Sequence, residues 1–392
     1  MYIFRSVFYL FIITVLASAC SSNTTEEEVA KESSDPKRDS LLLVYNPAKA
    51  DKKLDEYFKG LHRKRNFNGN VLVAKKGKII YEGTFGWADY LHRDSLKIKS
   101  QFQLASVSKP ITGTAVLMLI EQGKLKLSDT VDQFFPDFPY KGITIEMLLS
   151  HRSGLNNYVY FSDDIWKEKY KGMSNLDVMR LYAEHKPAPY FPPNRQFHYN
   201  NTNFMLLATI VEKVSKMPFK TFLQKNIFDV AGMKNSTLYP TTEYKKIPAD
   251  VVGHDRVWRR SVRQDFLDGT VGDKGVYSTI EDLFLFDRAL RDGLLLEKST
   301  LDSAYKPRSK LQNQYFGYGL GWRMYVDSVR KEQVIYHTGW WHGFRHIYLR
   351  DQKRDITIVI LSNLVNGSIN QIDEVYKILG MPVVRRGVSE DE

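Results

Sequence analysis

Ser106 and Lys109 lie three positions apart at the start of an apolar run, and their residue types suit covalent catalysis. Residues three apart share one face of a helix, so the Lys109 amine would lie beside the Ser106 hydroxyl. Pro110 places both residues near the first helical turn, where proline is tolerated and backbone N–H groups lack intrahelical partners. A hydroxyl beside an amine that can take its proton is a nucleophile suited to acyl transfer.

This spacing is a weak signal by itself, because serine and lysine are common residues. It also occurs at Ser34, Ser303 and Ser328, each three positions before a lysine. Only Ser106 precedes a long apolar helical run, at residues 111–120, whereas the other three lie in polar or charged stretches. Ser106 is therefore the candidate nucleophile.

Two later motifs could supply a proton carrier and substrate-binding groups. Tyr199-Asn200-Asn201 is the only Y-x-N sequence among the 23 tyrosines, and it lies on a predicted loop before a helix. His337-Thr338-Gly339 lies on a predicted strand, where the glycine lets a ligand run close to the backbone. A structural alternative for Asn201 is that it caps the following helix, a position that asparagine favours.

In this order, the three motifs resemble those of the serine β-lactamase and penicillin-binding-protein superfamily. The similarity is greatest to the branch with class C β-lactamases, D-alanyl-D-alanine carboxypeptidases, D-aminopeptidases and lipase-like esterases. It covers roughly residues 65–365, and residues 148–155 and 275–283 resemble two further patterns of that branch. The resemblance implies a β-lactamase/transpeptidase-like fold.

The resemblance also implies a role for each matching residue. Ser106 would be the acylated nucleophile, and Lys109 would take its proton or tune Tyr199. With its pKa lowered by Lys109, Tyr199 would pass protons to the leaving group and assist deacylation. Asn201 would hydrogen-bond the substrate amide. The backbone N–H groups of Ser106 and Trp340 would form the oxyanion hole, the second because Trp340 follows the glycine on an edge strand. Which group is the acylation base stays open.

His337 departs from the pattern, because β-lactamases and transpeptidases carry lysine there. Histidine has an ordinary pKa of about 6.5 and is mostly neutral at neutral pH. We therefore expect weaker, pH-dependent recognition of a substrate carboxylate, and a preference for esters or peptides over β-lactams. Together with Asn201, the expected substrate-binding residues are His337, Thr338, Gly339 and Trp340, although Trp340 and Trp341 could simply pack.

The sequence thus predicts a serine hydrolase that acts on an amide or ester, such as a D-amino-acid peptide, an ester or a β-lactam. The alternative is a non-catalytic relative that binds peptidoglycan or a partner protein. No cofactor or metal is expected, because His337, His342 and His346 lack the H-E-x-x-H spacing of a zinc site. His151 and Ser153 are expected to fix a loop rather than to catalyse.

Predicted strands lie at both ends of the sequence, in a hairpin over residues 70–83 and in strands over 319–325, 334–337, 343–349 and 356–361. A helical block of about residues 125–230 lies between them, and helices at 51–64 and 368–379 flank both ends. This order predicts an α+β fold: an antiparallel sheet flanked by helices, with an inserted all-helical subdomain. Ser278, three residues before Glu281, has the spacing of a helix capping box.

The N-terminus has the pattern of a secretory signal, with Arg5, an apolar stretch and the small residues of 17–19. Cys20, the only cysteine, follows at once and resembles the lipidated cysteine of a bacterial lipoprotein. The alternative is a signal peptide or N-terminal membrane anchor with an incidental cysteine. We expect a signal peptide over 1–19, a lipidated polar tether over 20–40, a hydrolase domain over 41–380 and a tail over 381–392.

The formal net charge is +11, which raises the question of an anionic partner. The basic residues are scattered and form no basic helix or ribbon, so a nucleic-acid partner is not expected. A cell-envelope protein held at a membrane by its lipid, with a small-molecule or peptide substrate, fits better. The sequence leaves the oligomeric state open.

Overall fold

The computed structural model describes residues 46–239, 250–256, 259–309, 315–370 and 372–384. The predicted signal peptide, Cys20 and the polar tether lie outside these residues, as does most of the predicted tail. The helices are α1 (Lys52–Arg65), α2 (Ser108–Glu121), α3 (Val131–Phe134), α4 (Ile145–Leu149), α5 (Tyr158–Ile165), α6 (Asn175–His185), α7 (Asn201–Ser215), α8 (Phe219–Leu223), α9 (Asp229–Ala231), α10 (Ile280–Arg291), α11 (Lys298–Ala304) and α12 (Asp373–Leu379).

The strands are β1 (Gly69–Lys75), β2 (Lys78–Phe85), β3 (Trp87–Asp89), β4 (Asp94–Ser95), β5 (Phe102–Gln103), β6 (Thr237–Leu238), β7 (Val276–Ser278), β8 (Phe316–Tyr318), β9 (Arg323–Asp327), β10 (Glu332–Trp341), β11 (Phe344–Asp351) and β12 (Ile356–Ser362). Within the described residues, seven of them form one sheet in the order β2-β1-β12-β11-β10-β9-β8. All neighbouring strands in it are antiparallel. Because β1 pairs with β12, both ends of the chain complete the sheet, as predicted.

Both faces of this sheet are covered, so its central strands are apolar on both sides. Val71 and Val73 of β1 pack in the core beneath α1 and α12. The alternate residues, Leu72 and Ala74, pack in the core beneath α2 and α10. This alternation follows from the two-residue period of a strand. Burying an apolar side chain of this size contributes about 1.5–3 kcal/mol.

The helices from α3 to α9 lie between β5 and β6 and form the inserted helical region, as predicted. Helix α2 is buried on all sides, with eleven buried residues among its fourteen. A helix that is apolar all round belongs in the interior. Helix α2 packs against α7 and so brings the two motif-bearing segments, at Ser106 and Tyr199, to the same place.

Two local predictions were wrong. The strand predicted over 319–325 begins only at Arg323, because residues 319–322 form the connection between β8 and β9, in which the Gly319 N–H donates to the Trp322 carbonyl oxygen at 2.9 Å. A Cβ on Gly319 would lie 2.0 Å from the Ala304 carbonyl oxygen of α11. The cap of α10 is Thr279, whose side chain accepts from the Asp282 N–H, rather than Ser278. Among the described residues, none forms a helix long and apolar enough to span a bilayer.

Candidate active site

Ser106 lies in a short 3-10 turn (Ala105–Val107) that leads directly into α2. Ala105 has a φ of 49°, a left-handed conformation that costs a non-glycine residue about 1 kcal/mol or more. Hydrogen bonds hold this strained turn: Leu104 N–H donates to Val276 O at 2.8 Å, and Val276 N–H donates to Ser108 Oγ at 3.2 Å. The turn therefore presents Ser106 from a segment anchored on β7.

The fully buried amine of Lys109 donates to three oxygen atoms from three parts of the chain. Its Nζ lies 2.9 Å from Ser106 Oγ, 2.8 Å from Asn201 Oδ1 and 3.1 Å from the Asp273 carbonyl oxygen. As an ammonium, Lys109 could donate to all three of these acceptors. It could take the Ser106 proton only as the uncharged amine, after losing one of its hydrogens.

Asn201 is the first residue of α7, and the residue before it, Asn200, is the N-cap of that helix. The Asn200 side chain accepts from the Thr202 N–H, so Asn200 rather than Asn201 caps α7. This resolves the structural alternative for Asn201. Its amide oxygen instead receives the bond from Lys109, and the residue lines the cleft beside Ser106.

Tyr199 is almost fully buried and lies among two basic side chains and the rings of His151, Tyr318 and His337. Lys109 Nζ is 4.8 Å from its ring centroid, and Arg323 Cζ is 4.6 Å from the same centroid. The ring of His151 packs on it with 4.3 Å between centroids. Tyr199 lines the same cleft as Ser106, so the phenol and the hydroxyl face a common space.

His337 lies below the surface of the cleft. Its Nδ1 bonds the Thr338 carbonyl oxygen at 2.7 Å, so Nδ1 carries the hydrogen in the neutral ring. Its Nε2 then accepts from the Tyr318 hydroxyl at 3.1 Å. Burial, followed by the charges of Arg323 and Lys109, lowers the pKa of His337 well below its ordinary value. Because His337 is buried and does not line the cleft, this geometry does not support its expected direct contact with a substrate.

Thr338, Gly339 and Trp340 do line the cleft. Beyond Tyr336, β9 no longer pairs with β10, so of the described strands only β11 pairs with residues 337–341. We expected Trp340 on an edge strand. β10 is internal to the sheet, but this last part of it has one open edge. Trp340 is 48% exposed, so its side chain is not simply packed.

The cleft has a volume of about 510 Å³ and is lined by Ser106, Tyr199, Asn201 and the end of β10. Three basic residues also line it: Arg323, His342 and Arg345. None of the described residues that line it is acidic. Arg323 and the Asp273 carbonyl were not identified from the sequence. In the sequence, Arg323 is only a charged residue within the strand predicted over 319–325, and a backbone oxygen leaves no sequence signal.

Asp265, Asp268 and His342 bring potential metal-ligand atoms within 4.8 Å of one another. The Asp268 carboxylate already accepts from Gln103 Nε2 at 3.0 Å and from Trp341 Nε1 at 2.8 Å. Burial would lower the pKa of His342, but hydrogen bonds to Asp265 and Asp268 outweigh it and raise the pKa to about 9. With the imidazole protonated, His342 forms salt bridges to Asp265 at 3.4 Å and to Asp268 at 3.0 Å.

Known proteins share sequence similarity with this chain over most of its length. The β-lactamase family profile matches residues 54–379. Penicillin-binding protein 4* of Bacillus subtilis (strain 168) is 34% identical over 328 residues, covering 80% of this chain and 71% of that protein.

Two solved structures share the fold. A penicillin-binding protein from Bacillus halodurans has a TM-score of 0.72 at 24% identity, covering 82% of this chain and 99% of that one. A D-amino acid amidase from Ochrobactrum anthropi SV3, complexed with L-phenylalanine amide, has a TM-score of 0.70 at 20% identity, covering 84% and 99%. With a family profile that matches most of its length and a relative at this identity, the chain belongs to the β-lactamase family of serine hydrolases.

Proposed function

We propose that this protein cleaves an amide or ester bond through an acyl-enzyme on Ser106. The observation that carries the proposal is the 2.9 Å contact between Lys109 Nζ and Ser106 Oγ at the cleft. The Ser106 oxygen attacks the substrate carbonyl carbon, while its proton passes to the uncharged amine of Lys109 or to the phenolate of Tyr199. The leaving amine or alcohol takes a proton from Tyr199, and water then hydrolyses the ester on Ser106.

The backbone N–H groups of Ser106 and Trp340 are assigned to the oxyanion. A single donor of this kind typically contributes about 10²–10³-fold in kcat. The Asn201 amide oxygen is occupied by Lys109, which leaves its NH₂ group to donate to a substrate carbonyl. Both assignments agree with the position of these residues on the cleft wall.

The open edge of residues 337–341 supports a peptide substrate, because an extended peptide can pair with an unpaired strand edge. We assign recognition of a substrate carboxylate to Arg323 rather than to His337. Arg323 lines the cleft and keeps its charge at all physiological pH values, whereas His337 is buried and neutral. D-amino-acid peptides of the cell wall are the first candidates.

Labelling of Ser106 tests the proposal. The protein is treated with a fluorophosphonate and, separately, with a labelled penicillin, and the adduct is located by mass spectrometry. The wild type and the Ser328→Ala variant should carry it on Ser106, whereas Ser106→Ala should carry none. Ser328 is a matched control, because it is an exposed serine with the same S-x-x-K spacing. Absence of an adduct on the wild type would favour the non-catalytic alternative, a protein that binds peptidoglycan or a partner.

Arg323→Gln tests the carboxylate assignment. Peptides with a free or an amidated C-terminus are compared by kcat/KM. The wild type should prefer the free carboxylate by about tenfold to a hundredfold, the usual contribution of a charged hydrogen bond. Arg323→Gln should abolish this preference, and Arg345→Gln, which changes another cleft arginine, should retain it. An undiminished preference in Arg323→Gln would contradict the assignment.

We also propose that the protein is held at a bacterial membrane by a lipid on Cys20. The support is the position of the only cysteine directly after a signal-like segment. Metabolic labelling with palmitate should mark the full chain, and Cys20→Ser should remove both the label and the membrane association. Unchanged labelling of Cys20→Ser would contradict this proposal.

A further inference from the structure

His151 lies two residues after the end of α4, and it hydrogen-bonds the residues immediately before and after Tyr199. Its carbonyl oxygen accepts from the His198 N–H at 2.8 Å. Its ring atom Nδ1 accepts from the Asn200 N–H at 3.1 Å. The imidazole face packs on the Tyr199 ring, with 4.3 Å between centroids. One buried residue thus binds the backbone before and after the phenol and also contacts the phenol itself.

A hydrogen-bond chain determines which nitrogen of His151 carries the hydrogen. Leu155 N–H donates to Ser153 Oγ, and Ser153 donates to Asn203 Oδ1 at 2.6 Å. The Asn203 NH₂ group therefore donates to His151 Nδ1, at 3.1 Å. Because Nδ1 accepts two N–H bonds, the hydrogen must be on Nε2 and the ring must be neutral.

The surroundings of His151 support the neutral form and exclude a direct part in the chemistry. Burial, followed by the charges of Lys109 and Arg323, lowers the pKa of His151 well below its ordinary value. The residue is fully buried and does not line the cleft, and its Nε2 has no hydrogen-bond partner among the described residues. It therefore cannot pass a proton to a bound substrate.

We infer that His151 is the positioning residue for Tyr199: its Nδ1 acceptor and flat ring hold the phenol where it can protonate the leaving group. This inference rests on the proposed function, in which Tyr199 is the proton carrier. The sequence predicts only that His151 fixes a loop. The inference adds that this loop aligns Tyr199, and that protonation of the leaving group slows when the alignment is lost.

The test uses two esters with the same acyl group, a p-nitrophenyl ester and a methyl ester. A p-nitrophenolate leaves without being protonated, whereas methanol needs a proton from the enzyme. His151→Phe keeps an aromatic ring and removes the acceptor, and His151→Asn retains an acceptor near the position of Nδ1. All rates are divided by the fraction of Ser106 that a fluorophosphonate labels, so that unfolded protein does not lower the apparent rate. If the fluorophosphonate labels none of the His151→Phe protein, the variant His151→Gln is used instead, because its longer side chain moves the acceptor away from the position of Nδ1.

We expect His151→Phe to lower kcat/KM for the methyl ester at least tenfold more than for the p-nitrophenyl ester. His151→Asn should retain a wild-type ratio between the two esters, and so should His185→Phe, which changes an exposed histidine. Tyr199→Phe should show the same selective loss, and adding His151→Phe to it should change little. Equal losses on both esters, or additive losses in the double variant, would overturn the inference. Failure of the proposed function is a separate result, in which the wild type has no labelled Ser106.

Discussion

Gly339 on β10 has no room for a side chain, because its backbone packs against the segment that carries Ser106. A Cβ built there would lie 2.5 Å from the Leu104 carbonyl oxygen and 3.3 Å from the Ala105 Cβ. Gly339→Ala should therefore separate the strand from the nucleophile. Gly339 lines the cleft, but the atom nearest to its added Cβ would be the Leu104 carbonyl oxygen, so the expected effect is a displacement of the segment that carries Ser106.

The size of the effect follows from the contact. To move from 2.5 Å to the 3.4 Å at which ordinary contact begins, the strand or the turn must retreat by about 0.9 Å. A misplacement of about 1 Å can cost a catalytic site about 100-fold in rate, or about 2.7 kcal/mol in the barrier. We therefore expect kcat/KM of Gly339→Ala to fall about 100-fold on an ester substrate.

The assay is ester hydrolysis per folded molecule, with folding followed by thermal unfolding. Gly60→Ala is the matched control, because a Cβ at Gly60 on α1 would meet no heavy atom within 4 Å. It should leave kcat/KM unchanged and raise stability by about 1 kcal/mol, since alanine favours a helix over glycine. A Gly339→Ala variant that folds normally and keeps kcat/KM within threefold of the wild type would refute the reasoning.

Three further outcomes are expected. Lys274→Met should cost about 3–5 kcal/mol in urea unfolding, because it leaves the buried Asp273 carboxylate without its ammonium at 3.4 Å. The double variant Asp273→Asn/Lys274→Met should recover much of that loss, and equal losses in both would contradict this. Because ion pairs raise the pKa of His342 from 6.5 to about 9, its stabilisation should be complete below pH 6.5 and disappear as the pH rises through 9. The difference in Tm between the wild type and His342→Gln should shrink over that range, and a widening difference would argue against it. Lys109→Met should slow labelling of Ser106 by a fluorophosphonate about 10²–10⁴-fold, whereas unchanged labelling would exclude Lys109 as the proton acceptor.

Sequence reasoning was most successful where the required geometry is local. Ser106 and Lys109 are close because three residues nearly complete a helical turn, and the structure has the contact at 2.9 Å. The antiparallel sheet was predictable from the hairpin over residues 70–83 and from strands at both ends of the sequence. Errors occurred at element boundaries, as at Thr279 and Arg323, where a neighbouring segment decides which residue begins the element.

The ordered motifs in the sequence identified the family and the candidate site residues. The tertiary structure alone decided which groups complete the site. Lys109 bonds the carbonyl oxygen of Asp273, 164 residues away, and His151 contacts Tyr199 from the turn that follows α4. Such contacts depend on how α2, α7 and the sheet pack together. Packing brings distant residues into contact through many small contributions, and these leave no short motif for a sequence to display.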